Sequence, residues 1–145
     1  MAATFEQTRL RRLGNSLIGP LARLGLAGRR THVLTVPGRQ TGRPRSTPVQ
    51  LLFLVGERWL VAPYGEGDWV KNARAAGAVE LTRARKTERV RVDEVGPEEA
   101  APVLREYLRH TPIVKPYFDA TAGSPLEAFA AEATRHPVFR VGAGG

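Results

Sequence analysis

The chain has 145 residues, 42% of them hydrophobic and 25% charged, enough apolar material for one packed domain and too much for a disordered chain. It contains no cysteine, which excludes a disulfide framework, a Cys-ligated zinc site and a thiolate nucleophile. Lys and Arg outnumber Asp and Glu by 22 to 14, a net charge of +8, and a surplus of that size points to an anionic partner: nucleic acid, an acidic membrane, or a ligand carrying phosphate or carboxylate.

Residues Phe5 to Leu26 read as one or two helices within an N-terminal helical segment, 1–29. Leu10, Leu13, Leu17, Leu21 and Leu24 recur at helical spacing while Arg9, Arg11, Arg12 and Arg23 occupy other faces, and Gly14 and Gly19-Pro20 interrupt the run. No stretch of about 18 apolar residues occurs, so no membrane span is expected. Met1 to Gln7 lacks a basic region leading into an apolar one, and the expected location is cytoplasmic.

From there the chain reads as a series of short strands. Thr31 to Val36 is β-branched and stops at Pro37-Gly38, and the segment Pro37 to Pro48 reads as a turn dense in Gly, Pro and Arg. Val49 to Val55 is a near-continuous apolar run, joined through Gly56-Glu57 to Arg58–Ala62 as a hairpin. Asp68 is the expected N-cap of a helix from Trp69 to Ala76 that Gly77 ends. Strands follow at Ala78 to Arg83 and Thr87 to Val95. Gly96-Pro97-Glu98-Glu99 opens a helix running to Arg109, with proline and acids in the first turn, where the helix dipole favours them. Thr111 to Ser124 is irregular, Pro125 to Arg135 helical, and Pro137 to Val141 a closing strand. Six short strands joined by hairpins, with helices inserted locally, predict an α+β fold with a small, mostly antiparallel barrel over residues 30–141, all in one domain, 1–145.

Two segments carry candidate chemistry. Gly38-Arg39-Gln40-Thr41-Gly42-Arg43-Pro44-Arg45 combines glycines, which let a ligand approach the backbone, with three arginines able to make paired hydrogen bonds to phosphate or carboxylate oxygens. It matches neither GxxxxGK[ST] nor GxGxxG, which removes the common nucleotide folds. Tyr64-Gly65-Glu66-Gly67-Asp68-Trp69-Val70-Lys71-Asn72 places a glycine loop directly before a helix N-terminus, whose free N–H groups favour anions, and Tyr64 can donate a proton. The three histidines are scattered without metal-ligand spacing, and Ser16 and Ser46 have no paired base in view.

Taken together, GRQTGRPRSTP (Gly38 to Pro48), LLFLVGERWLVAPYG (Leu51 to Gly65), DWVKNARAAGAVEL (Asp68 to Leu81) and HPVFRV (His136 to Val141) resemble the deazaflavin-dependent nitroreductase family. The resemblance implies a split β-barrel that binds coenzyme F-420, with Arg39 and Arg45 on the phosphate and oligoglutamate tail and Arg43 as a helper. It implies that Pro48, Gln50, Ala62, Pro63 and Tyr64 line the deazaflavin ring and that Trp69 and Asn72 border it. Gln40 stands in this group where many relatives have a second base, and the loop after Tyr64 is shorter. Tyr117 and Phe118 fall where relatives cover the acceptor pocket.

What the resemblance implies chemically is hydride transfer from the reduced deazaflavin to an electron-poor organic acceptor, a nitroaromatic, quinone or enone. Protein groups would orient the partners and exclude water, with Tyr64 as the candidate proton donor. The rival enzyme reading is a flavin mononucleotide (FMN) oxidoreductase on the same kind of barrel. The rival from another class is a non-enzymatic binder of anions or nucleic acid. Nucleic acid is disfavoured, because the basic turn lacks the interleaved aromatics on which bases stack. Peripheral membrane contact through the basic N-terminal helix is compatible with a membrane-dissolved quinone, and split barrels commonly pair as homodimers.

Overall fold

The computed structural model describes residues 31–142; the N-terminal helical segment expected from the sequence lies outside the described residues. In chain order the elements are β1 (Thr31–Pro37), β2 (Pro44–Leu54), β3 (Glu57–Val61), α1 (Asp68–Ala76), β4 (Ala78–Arg83), β5 (Lys86–Glu94), α2 (Pro97–His110), a 3-10 segment (Pro112–Tyr117), α3 (Leu126–Glu132) and β6 (Val138–Val141). The six strands close into an antiparallel barrel in the order β1-β2-β3-β6-β5-β4. This is the α+β split barrel the strand pattern and the motif resemblance imply.

Period-two alternation divides the apolar residues between two cores. Leu34, Val36, Leu51, Leu60, Val79, Leu81, Val90, Val92 and Phe139 form one cluster, with Val70 and Ala73 of α1 packed into it. Their strand neighbours Leu52, Trp59, Val61 and Val138 belong to a second cluster with Ala100, Val103, Leu104 and Leu108 of α2 and Phe129 of α3. α2 and α3 therefore pack together over one flank of the barrel, while α1 packs into the other core.

One expectation fails in an instructive way. The segment Pro44 to Pro48 is not turn but the first half of β2, paired with β1 from Pro37↔Pro44 to Thr31↔Gln50. The Gly38 N–H donates to the Arg43 carbonyl at 2.8 Å, making that pair the hydrogen-bonded one. Alternation then puts Pro44 and Pro48 in non-hydrogen-bonded positions, where a missing N–H costs no ladder bond. The intervening pair, Thr35 and Ser46, joins its hydroxyls at 2.8 Å. The real turn is only Gly38 to Arg43. A smaller correction concerns α1: its N-cap is Gly67, and Asp68 is the first helical residue. Gly77 ends that helix in the left-handed conformation, φ 72°, as expected.

Candidate functional site

The β1–β2 turn, the exposed first half of β2, the exit of β3, the N-terminus of α1 and the C-terminal end of α2 enclose a cavity of about 840 Å³, within the range of small-molecule and cofactor sites. Arg39, Gln40, Arg45, Pro48, Gln50, Ala62, Pro63, Tyr64, Trp69 and Asn72, all singled out from the sequence, line it. Arg43 is outside the lining, on the exposed face of the turn. The wall also includes Tyr107, Thr111, Ile113 and Val114, which no sequence motif marks.

Asn72 organises the cationic end. It is buried on α1, and its Oδ1 accepts both the Arg39 backbone N–H at 3.0 Å and the Arg39 guanidinium at 2.9 Å. The guanidinium also lies 3.6 Å from Asp68. The W-x-x-N spacing follows from this: Trp69 and Asn72, one helical turn apart, share a face. Trp69 packs on Phe139 of the barrel core, with ring centroids 5.8 Å apart, while Asn72 grips the turn. Arg39 is thereby a braced residue, whereas Arg43 and Arg45 have no ion-pair partner among the described residues. The next basic residue of α1, Arg74, is fully engaged elsewhere. It clamps Glu94 at 2.6 and 2.8 Å and Glu66 at 3.0 Å, which holds the Glu66 carboxyl below the usual carboxylate range and ties the loop before α1 to β5.

At the opposite end the walls are aromatic and apolar. Tyr64 meets Tyr117 edge-on, with centroids 5.0 Å apart. Phe118, expected beside it over the cavity, is instead buried and stacked on His136 at 4.0 Å. His136 joins the two walls: Nε2–H donates to the Tyr117 carbonyl at 2.8 Å, and Nδ1 stands 3.3 Å from the Ala62 carbonyl. A neutral ring has one N–H, so it serves the shorter contact. Burial pushes the His136 pKa below its ordinary value against the opposing pull of these two carbonyls and of Glu132. Glu132, also buried, accepts the Asp119 and Ala120 N–H groups and pairs with Arg135, fixing the segment that follows Tyr117. Gly65 has φ 96° and would bring a Cβ to 3.4 Å from the Arg135 carbonyl, so the Tyr64 loop rests on the same support.

The sequence matches the F420H(2)-dependent quinone reductase family over residues 6–122. The chain belongs to that family. Its members are oxidoreductases named for the reduced deazaflavin, and the structural likenesses agree in fold. Protein Atu2129 of Agrobacterium tumefaciens strain C58, described as of unknown function, is 17% identical with a TM-score of 0.60; the match covers 99% of this chain and 60% of that one. This chain thus spans 60% of that relative's length. The F420-H2 dependent reductase FDR-A is 21% identical over 78% of this chain and 94% of its own, with a TM-score of 0.55. The haem-storage protein HutZ of Vibrio cholerae shares the fold at 12% identity and a TM-score of 0.57, covering 81% and 83% of the two chains. No curated protein matches the sequence.

The cavity suits the deazaflavin for which this family is named, on chemical grounds. Arg45, without an ion-pair partner among the described residues, supplies a cation for phosphate at one end, and Ala62 to Tyr64 with Trp69 give a partly apolar wall for a ring system. An isolated anion would be served by the arginines alone. The apolar end has room for something more.

Proposed function

We propose that the protein reduces a quinone-type acceptor with reduced coenzyme F-420, binding the cofactor tail on Arg45 with help from Arg43 and the braced Arg39, and the ring along Pro48, Gln50, Ala62, Pro63, Tyr64 and Trp69. The observation that carries the reading is the two-ended cavity, cationic at the β1–β2 turn and aromatic at the end of α2. Bound there, the reduced deazaflavin supplies the hydride. The residues of the chain hold both partners, keep water out, and offer the Tyr64 hydroxyl as the proton source. Gln40, uncharged, contributes polar contact rather than charge to the tail. The reading extends to the whole chain as a single domain working in the cytoplasm. Its basic N-terminal segment is then the element available for contact with an anionic membrane surface, and a homodimer the assembly to test.

Titration with oxidised and reduced coenzyme F-420, run in parallel with FMN and followed by fluorescence, tests the cofactor. The expected result is saturable F-420 binding that Arg45→Ala weakens about tenfold, the scale of a charge-assisted hydrogen bond lost, with added salt weakening it further. Binding of FMN alone turns the reading to a flavin enzyme. Binding of neither, with salt-sensitive retention on DNA, turns it to a non-enzymatic anion binder.

A further inference from the structure

We propose that the Thr111 hydroxyl is the hydrogen-bond donor for an oxygen of the acceptor, so that Thr111 determines specificity for a flat ring carrying a carbonyl oxygen, the quinone class. The inference rests on the functional reading above and adds a residue that neither the sequence motifs nor the family match assigns.

Thr111 stands between α2 and the 3-10 segment, at the N-cap of the latter. A threonine there ordinarily turns its side-chain oxygen onto a free N–H of the first turn. Here the Val114 N–H is taken by the Thr111 backbone carbonyl at 3.2 Å, and the side chain makes no capping bond. The residue is only 7% exposed, and its Oγ1 is buried with no hydrogen-bond partner among the described residues, so it meets a ligand in the cavity by turning about χ1. Buried hydroxyls almost always have partners, because leaving one unpaired is costly, so an exception asks for an explanation.

Position supplies it. Thr111 lines the apolar end of the cavity, flanked by Tyr107, Ile113 and Val114. Ile113 is 75% exposed, an apolar side chain at the rim of a site rather than in a core. These neighbours favour a flat apolar ring but offer little to its polar edge. A carbonyl oxygen has lone pairs and no proton of its own, and needs a donor; a rotatable hydroxyl is one. An acceptor gains electron density on that oxygen as it is reduced, so the same bond strengthens during the reaction.

The test is calorimetric titration of the protein, loaded with oxidised coenzyme F-420, with 1,4-naphthoquinone; without reducing equivalents nothing turns over. Thr111→Val, close to isosteric, is expected to weaken quinone binding roughly three- to tenfold, the range for one hydrogen bond. Thr111→Ser is expected to restore it to within twofold. Without ligands, Thr111→Val is expected to melt at or above the wild-type temperature, because the hydroxyl it removes has no partner among the described residues to lose. Unchanged quinone affinity in Thr111→Val, or a fall of several degrees in its melting temperature, overturns the proposal. The same titration on the cofactor-free protein keeps the two readings apart. A loss of quinone affinity there stands even where coenzyme F-420 itself fails to bind.

Discussion

Asn72 shows how much a single side chain can decide. Its oxygen serves two Arg39 donors at once, so it sets the shape of the glycine turn and the direction of the guanidinium together. Asn72→Asp keeps both acceptor interactions and so is expected to fold normally, yet it adds a negative charge beside an anion site. Coenzyme F-420 binding should weaken by about tenfold at low salt and by less at high salt, where the added charge is screened. Equal losses at both salt levels would mean that the turn geometry, not the charge, had changed. Tyr64 poses the converse question, since its ring packs on Tyr117 whether or not its hydroxyl acts. Tyr64→Phe preserves that packing, so cofactor affinity should hold while turnover falls by about a hundredfold if the hydroxyl is the proton source. Single-turnover rates measured across pH would expose a solvent proton instead, by remaining at the wild-type value.

Elements were legible where the signal is local. The hairpins, the α1 stop at Gly77 and the acidic start of α2 are each written in a few adjacent residues, and the structure places them as the sequence suggests. So was the cationic half of the site, because its residues lie in two short motifs. The start of β2 was not, since Pro44 and Pro48 look like turn residues until the register with β1 gives them positions that need no N–H. Tyr107, Thr111, Ile113 and Val114 were invisible for another reason: they reach the cavity only through the packing of α2 on the barrel flank, about 35 residues and more beyond the motifs they face. The β2–β3 turn offers an element-scale test. Its central residues Val55 and Gly56 have φ of 52° and 73°, the arrangement of a tight hairpin turn of type I′, and Val55 is a β-branched residue left exposed in the left-handed region. Val55→Asn creates Asn-Gly, which fits that turn, and should stabilise the protein by about 1 kcal/mol in chemical denaturation. No gain would show that the valine is relieved by contacts beyond the turn.

At the scale of the whole molecule, acidity should act first through one buried ring. The folded protein holds His136 neutral below its ordinary value of 6.5, whereas the unfolded chain takes up the proton there. The stability this residue contributes is therefore complete above about pH 6.5 and declines as the pH falls below it, by at most about 1.4 kcal/mol per unit. Glu88, held low by its two-pronged pairing with Arg58, has the usual carboxylate sign and is lost only at lower pH, beneath 4.5. Denaturation midpoints measured between pH 5 and 7 should slope in the wild type and flatten in His136→Phe. A slope that persists in the variant would assign the acid sensitivity to other groups. Protonation keeps the Nε2–H bond to the Tyr117 carbonyl and gives Nδ1 a proton for the Ala62 carbonyl, so acid should lower the stability before it alters the aromatic end of the cavity.

The barrel closes on itself through β1 and β4, and side chains such as Leu51, Leu60 and Phe139 fill its interior. The cavity consequently lies against the barrel wall, and half of its lining comes from elements that contribute little to that inner packing. Thr111 and Ile113 belong to neither core cluster, so substitutions there can accumulate without disturbing the strands that position the cationic turn. On the function proposed above, the choice of acceptor is then free to diverge among descendants while the grip on the cofactor is kept.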